Sequence, residues 1–410
     1  MTSRKKAFER FCVACRRGDK QEAQKLLAAI DDINAQTGHG ARTPLMRAAE
    51  SKNADLVRFL LDNGADVDCR NRFKLTALHA AACAENNVDV LRLLIERGAD
   101  VNASDLNNCL PIDWADDVAN FRCLLEAGGD PERALVAATR KRFDEIVDQL
   151  IDSGVDVDAR GRYRWTALMQ ASPVETNTET VLMRLLAYGA DVNLFSDDHR
   201  WTALGFTVAR HLHAPCIQLL ASGADVNAAC VDGVMPLRHA LQFDKHELVL
   251  PLLAAGADVH AVAEKGAVNI WNTDGAQRRE IRCLLVVAGA KDCPSSFTED
   301  ELDKARAKIA AAKNEIEAAR RQLKAERHAL VVEKALPMCT GLQSLELPAF
   351  VTLAILDELL PGRLRDVVSM HFKWDVITAV KHFHDRRADA ARAKATDATV
   401  SSSKSAVVDV

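Results

Sequence analysis

The chain has 410 residues, 48% hydrophobic and 27% charged, which is ample for a large buried core; only 5% are aromatic, so Leu, Val and Ala must carry the packing. A formal charge of −5 leaves no electrostatic footprint for nucleic acid or an anionic membrane surface, and no apolar run approaches the length of a membrane span. The 11 cysteines are scattered through apolar positions and read as reduced thiols of a cytosolic protein, in the cytoplasm with the nucleus left open.

Residues 1–34 begin without the apolar stretch of a secretory leader. Within them "FERFCVACRRGDKQEAQKLLAAIDDIN" predicts a helix pair that caps the N-terminal end of the domain beginning at residue 35. Cys12 and Cys15 form one CxxC, but no second pair or nearby His completes a metal set.

Residues 35–292 are repetitive. Gly64, Gly98, Gly128, Gly154, Gly189, Gly223, Gly256 and Gly289 recur at intervals of 34, 30, 26, 35, 34, 33 and 33. Several open "GADV", and about twelve residues later comes a turn such as "TPLMRAA" at 43, "TALHAAA" at 76, "TALMQA" at 166 or "TALGFT" at 202. Between each turn and the next Gly lie two short amphipathic helices. A Gly after "LL" supplies the left-handed residue that ends a helix, the Asp and Asn beyond it suit a turn, and Thr caps the next helix. Pro44 and Pro236 stand where a missing N–H costs nothing. No unit can bury its Leu and Ala faces alone, so stacking and a solenoid follow.

These residues resemble the ankyrin repeat. The resemblance implies a mostly α fold, an ankyrin-repeat solenoid of about eight repeats behind the capping pair, in which hairpin tips and first helices bind a protein partner. On that basis the candidate contact residues are Arg72, Phe73 and Lys74 at one tip, Tyr163, Arg164 and Trp165 at another, and Arg200 and Trp201 at the next. Arg and aromatic residues dominate interface energetics; an aromatic before Thr can equally lie against the neighbouring hairpin. Asn102, Asn193 and Asn227 resemble the asparagine that cytosolic hydroxylases modify, and are also ordinary turn chemistry.

Three departures stand out. Only His79 occupies the family's TPLH histidine position, where Met46, Asp113, Met169, Gly205 and Arg238 stand in other units; looser junctions are expected there. The unit after Gly128 has no room for a hairpin, and Asp130-Pro131 begins its helix directly. That gap is either simple decay of one repeat or a notch dividing the tips into two contact regions. The last unit has lost the Thr-x-Leu spelling.

Residues 298–335 form a charged helix with an acidic start, in which Leu302, Ile309, Ile316, Leu323 and Leu330 recur every seven positions beside Ala305, Ala312 and Ala319. The seam fits a spacer, packing within the chain, or weak self-association through 299–335. Residues 337–387 predict a small three-helix bundle. There Leu347, Pro348, Ile355, Leu356, Leu359, Pro361, Leu364 and Trp374 stand at the relative positions of an F-box, which this stretch resembles. The resemblance implies docking on an Skp-type adaptor of a cullin ubiquitin ligase; a purely structural bundle is the other reading. Residues 388–410 are small and polar, the composition of a disordered tail. No nucleophile elbow, phosphate-binding Gly loop, HExxH or kinase signature occurs, and His382 and His384 diverge on a helix. The expectation is a non-enzymatic interaction protein with no cofactor or metal.

Overall fold

The computed structural model describes residues 3–38, 40–171, 179–230, 233–243, 246–260, 276–290 and 296–343. The F-box-like stretch from Leu347 to Trp374, the rest of the expected bundle and the tail lie outside them. The chain divides into two compact units, one of Met1–Leu186 with Ala190–Arg320, the other of Ala187–Gly189 with Arg321–Val410. Among the described residues the secondary structure is helical, with two isolated bridges, Thr37 to Arg42 and Arg160 to Thr166, and no strand.

Helices α1 (Ser3–Arg17) and α2 (Lys20–Leu27) come first. Helix pairs follow: α3 (Pro44–Ala49) with α4 (Ala54–Asp62), α5 (Ala77–Cys83) with α6 (Val88–Glu96), and α7 (Pro111–Trp114) with α8 (Val118–Glu126). Next are α9 (Pro131–Lys141) with α10 (Asp144–Asp152), and α11 (Ala167–Ala171) with α12 (Glu179–Ala187). Then come α13 (Ala203–Ala209) with α14 (His213–Ala221), and α15 (Pro236–Gln242) with α16 (His246–Ala254). Helices α17 (Ala276–Val287) and α18 (Glu299–Gln343) end the described chain.

Helices this short are marginal alone, so their stability is tertiary. Each first helix packs on the first helix of the next pair, from α3 through to α15. A second row joins α4 to α6 to α8, and α14 to α16 to α17. Helix α1 packs on α3 and α2 on α4. Leu56, Leu60, Leu78, Leu91, Leu94 and Leu124 are fully buried between neighbours. The eight spacing glycines all sit at φ between 83° and 106°, the left-handed conformation that lets each second helix stop.

The early pairs are also sewn together by buried amides. Asn87 donates its side-chain amide to the carbonyls of Ala49 (2.8 Å) and Ala81 (3.1 Å) and gives its backbone N–H to Asn120 Oδ1 (2.9 Å). Asn120 in turn donates to the carbonyls of Ala82 (3.3 Å) and Ala84 (2.7 Å), and Asn53 to that of Gly18 (2.8 Å). Each sits at or near the start of a second helix and satisfies carbonyls at the ends of first helices or just beyond them, in the pair before it or, for Ala81, in its own.

The expected loosening where histidine is replaced is corrected at one junction. His79 Nδ1 accepts from the Thr76 N–H (3.2 Å), so Nε2 carries the proton donated to the Cys109 carbonyl of the next unit (3.3 Å). One unit on, Asp113 Oδ2 accepts from the Leu110 N–H (2.9 Å) and pairs with Arg133 of α9 (2.9 Å), both side chains being 9% exposed. Arg133 also donates to the Asn108 carbonyl, and Arg140 to that of Asp113 (2.8 Å). An ion pair thus takes over the junction from the histidine. As its spelling indicates, α9 starts with Pro131 at its first turn, and Asp130 Oδ1 accepts from the N–H groups of Glu132 (2.9 Å) and Arg133 (3.3 Å).

Helix α18 begins with a capping box. Thr298 N–H donates to Glu301 Oε2 (2.9 Å), while Glu301 N–H donates to Thr298 Oγ1 (3.3 Å). The Arg279 guanidinium, 2.7 Å away, and the Thr298 N–H hold the Glu301 carboxyl down to about 2. Ala305, Ala312 and Ile316 are buried. Lys308 pairs with Glu280, and Arg320 Nε donates to the Ala221 carbonyl (3.2 Å). Over 299–320 the seam therefore packs within the chain, one of the three readings that the sequence allows. The helix also continues to Gln343, past the expected end at 335.

Candidate protein-contact surface

The tips are built alike. In each, one residue closes the loop with its backbone N–H: Asn71 N–H to the Leu75 carbonyl (3.0 Å), Asp105 to Cys109 (2.9 Å), Gly161 to Trp165 (2.8 Å), Ser196 to Trp201 (3.0 Å) and Cys230 to Val234 (3.2 Å). Asn71 and Asp105 brace their loops further, each accepting two N–H groups through Oδ1. Gly161 has no side chain to do so, because a Cβ there would stand 2.6 Å from Val136 Cγ1 of α9. The helix that lacks a hairpin of its own presses against the next tip instead.

Two residues before each helix cap the chain turns left-handed. Ala41, Lys74, Asn108, Arg164 and Arg200 have φ of 53°, 59°, 57°, 54° and 53°, and Gly233 has 66°. Tyr163 joins them at 56°, so this tip holds two consecutive strained residues. A non-glycine residue costs about 1–2 kcal/mol in this conformation, and glycine would remove the cost. Retaining Lys74, Arg164 and Arg200 there keeps long cationic side chains at the summit of three tips.

Each of these tips also sets a guanidinium over a ring. Arg72 lies 4.8 Å from the Phe73 ring centre, Arg162 4.5 Å from Tyr163 and Arg200 4.9 Å from Phe195. Phe73 is 45% and Tyr163 51% exposed. Neighbouring tips are tied: Leu106 N–H donates to the Phe73 carbonyl and Asp197 N–H to that of Tyr163, both at 3.0 Å. Arg164 pairs with Asp197 (3.4 Å) with more than half of each side chain exposed.

Trp165 and Trp201 are half-buried, and part of their surface goes to packing between units. Trp165 donates Nε1–H to Asp198 Oδ2 (3.3 Å) and stands 4.4 Å, ring to ring, from Phe206 of α13. Phe206 meets Trp201 at 5.5 Å, Trp201 meets His239 of α15 at 5.6 Å, and His239 meets Phe243 at 4.6 Å. Five rings form one row across three units, ending at Phe243, which is 51% exposed. Gly205, where the family carries histidine, makes this arrangement fit: a Cβ there would lie 3.2 Å from the Trp201 ring. Beside the row a cleft is lined by Arg200, Trp201, Gly205, Met235, Pro236 and His239.

Sequence reasoning named the two tryptophans but missed Phe206, His239 and Phe243. The signal was a register: Phe206 and His239 each stand four residues after their helix cap, Thr202 and Met235, on the helix face below the tips. Asn102 and Asn193 are exposed, and their side chains work as staples. Their Oδ1 atoms accept from the N–H groups of Asp130 (2.9 Å) and Asp225 (2.8 Å), and their amides donate to the carbonyls of Gly128 (3.0 Å) and Gly223 (3.3 Å). Asn227 Oδ1 accepts likewise from Asp258 (2.8 Å). All three asparagines thus tie one unit to the next.

The thiols at the N-terminal end are structural in character. Cys12 and Cys15 are buried, Thr37 Oγ1 donates to Cys12 Sγ (3.6 Å), and burial pushes the Cys15 thiol up to about 12. Among the described residues no group of three His, Cys, Asp or Glu side chains is placed to hold a metal ion, and no helix is long and apolar enough to cross a membrane.

A family model described as "Ankyrin repeats" matches residues 11–105 and 174–263 in three copies. The chain carries ankyrin repeats. The interval between the two matched ankyrin segments holds the unit without a hairpin. The chain is 36% identical over 108 residues to "Ankyrin repeat, SAM and basic leucine zipper domain-containing protein 1" of Loxodonta africana, covering 26% of this chain and 22% of that protein. The same-named protein of Otolemur garnettii is 38% identical over 109 residues, with the same coverage, and that of Bos taurus 36% over 108. The matched stretch spans only 22% of the length of these curated relatives. Ankyrin repeats are protein–protein interaction units, so the likeness bears on the array and its tips.

Proposed function

We propose that this chain is a non-catalytic capture protein. Its ankyrin array holds a partner protein on the tips and first helices between residues 160 and 243, with the tip at 70–75 as a second, separate contact. The observation that carries this reading is the row of five rings from Trp165 to Phe243, flanked by cationic side chains held on strained backbone. Large half-exposed rings beside Arg are what interface hot spots are made of. A photo-crosslinking residue in place of Tyr163 tests it, against the same residue in place of Glu145, which is exposed on α10. Partner adducts are expected from position 163 alone. Equal or stronger adducts from position 145 would remove the tips from the contact.

A finer reading makes the chain the substrate receptor of a cullin-type ubiquitin ligase. Its support is in the sequence, in the spacing of Leu347-Pro348, Ile355-Leu356, Pro361 and Trp374. Co-precipitation of an Skp-type adaptor by the intact chain, lost on Leu347→Ala with Pro348→Ala, is the expected result. If the intact chain recovers neither adaptor nor cullin, the array acts as a scaffold or inhibitor and residues 337–387 are structural.

A further inference from the structure

The chain as a whole is acidic, but its most prominent tips are not. Residues 70–75, "RNRFKL", and 160–165, "RGRYRW", hold three cations each and no carboxylate, in a molecule of net charge −5. One cation of each set serves the fold: Arg70 donates to the Ser104 carbonyl (3.5 Å) and Arg160 to that of Phe195 (3.2 Å). Of the others, Arg164 pairs with Asp197 of the next tip. Among the described residues no ion pair engages Lys74, Arg162 or Arg200; Arg200 lies over the Phe195 ring, and Arg162 lies over the Tyr163 ring, donates to the Tyr163 hydroxyl (2.6 Å) and feels the Asp105 carboxylate only at longer range. The two carboxylates in the row, Asp197 and Asp198, are engaged by Arg164 and by the Trp165 indole N–H.

We infer that the partner segment is acidic, an extended run of Asp and Glu around one apolar or aromatic anchor. Its carboxylates lie on Arg162, Arg164 and Arg200, and its anchor lies over the mouth of the cleft beside Trp201. This rests on capture at the tips and adds the chemistry of the partner. Charge complementarity argues for it: a guanidinium edge presents several N–H donors matched to a carboxylate, and the cleft floor of Met235, Pro236 and the Trp201 ring has nothing for a second charge. The exposed Arg164–Asp197 pair is weak enough to be exchanged for a ligand carboxylate. Single-stranded nucleic acid also stacks on aromatic rings beside cations. Asp197 and Asp198 in the same row repel any anion, but a peptide can set an uncharged residue opposite them whereas nucleic acid carries a phosphate at every step, which favours the peptide.

Selection of a random 16-residue peptide display library on the full chain tests this, with the selected peptides then measured by fluorescence anisotropy. Enriched peptides are expected to be net acidic with one aromatic or large aliphatic residue. Raising NaCl from 50 to 300 mM should weaken them several-fold, and the triple variant Arg162→Glu, Arg164→Glu, Arg200→Glu at least tenfold. A control reversing Lys304, Lys313 and Lys324, all exposed on α18, alters net charge equally and should change affinity less than twofold. Enriched peptides that are neutral or basic yet still lost on the triple variant would overturn the acidic assignment and leave tip capture standing. Peptides indifferent to the triple variant, or none enriched, would sink both. Poly(U) RNA that displaces the peptides and binds the wild type more tightly than they do would overturn the peptide in favour of nucleic acid.

Discussion

The units between residues 44 and 141 and those between 166 and 243 share one backbone plan but are held together by different chemistry. The first region is stitched by buried polar groups: Asn87 and Asn120 on loop carbonyls, His79 on Cys109, and the Asp113–Arg133 pair. The second has aromatic rings at the corresponding seams, with Gly205 where a histidine would stand and Leu212, an apolar residue, capping α14 without a side-chain hydrogen bond. Polar stitches are directional and are spent on contacts inside the array. Rings leave an edge or a face over, and that remainder is available to a partner. The difference teaches that one part of a solenoid can be built for register while another is built for contact.

The largest effect should come from breaking a polar stitch. In Asp113→Ala the Arg133 guanidinium stays buried without its counter-charge, for a cost of about 3–5 kcal/mol. Because a solenoid is nearly one-dimensional, the loss should be local to the junction. Hydrogen exchange should accelerate across Pro131–Lys141 while Ala203–Ala209 keeps its protection; uniform acceleration along the array would refute the local stitch. In the aromatic region, Phe206→Ala removes a half-buried ring between two indoles and should cost about 2 kcal/mol. Near-UV circular dichroism should report lost coupling of Trp165 and Trp201, with protection of Val88–Glu96 unaltered. An unchanged spectrum would mean the rings are not coupled as a row.

How far the sequence exposes these two chemistries differs with their range. The glycine spacing, the Thr caps, the Asp130-Pro131 start and the Thr298-x-x-Glu301 box are local, so a short window shows them. The Asp113–Arg133 pair is legible only if two units are overlaid, and the shortened interval after Gly128 breaks that overlay. Asp113 therefore read as a mere loss of histidine. Phe206 and His239 were hidden for the same reason, since their shared register appears only when helix caps are aligned. In α18 the period of the Ala seam was plain but its destination was not, because a narrow seam suits a second copy and a neighbouring helix equally well. The ion pairs to Arg279 and Glu280 decide it over 299–320.

The smallest effect is a pH dependence confined to the stitched region. Burial holds the His79 imidazole below its usual value of 6.5, and its Nδ1 already accepts the Thr76 N–H, so a second proton would meet a donor. The unfolded chain protonates this residue at its ordinary value, whereas the folded chain does so only at lower pH. Between the two the unfolded state binds more protons, so the stability due to His79 is complete above about pH 6.5 and is lost as the pH falls toward the folded value. His79→Gln should be about 1 kcal/mol less stable at pH 8, through the weakened bond to Cys109. The gap to the wild type should narrow on going to pH 5.5, the other histidines cancelling in the difference. Urea melts of both proteins at the two pH values measure it. A constant gap would show that folding does not shift the ring, and a widening gap that the folded chain binds its proton more tightly than the unfolded chain; either would refute the Thr76–His79–Cys109 stitch as assigned.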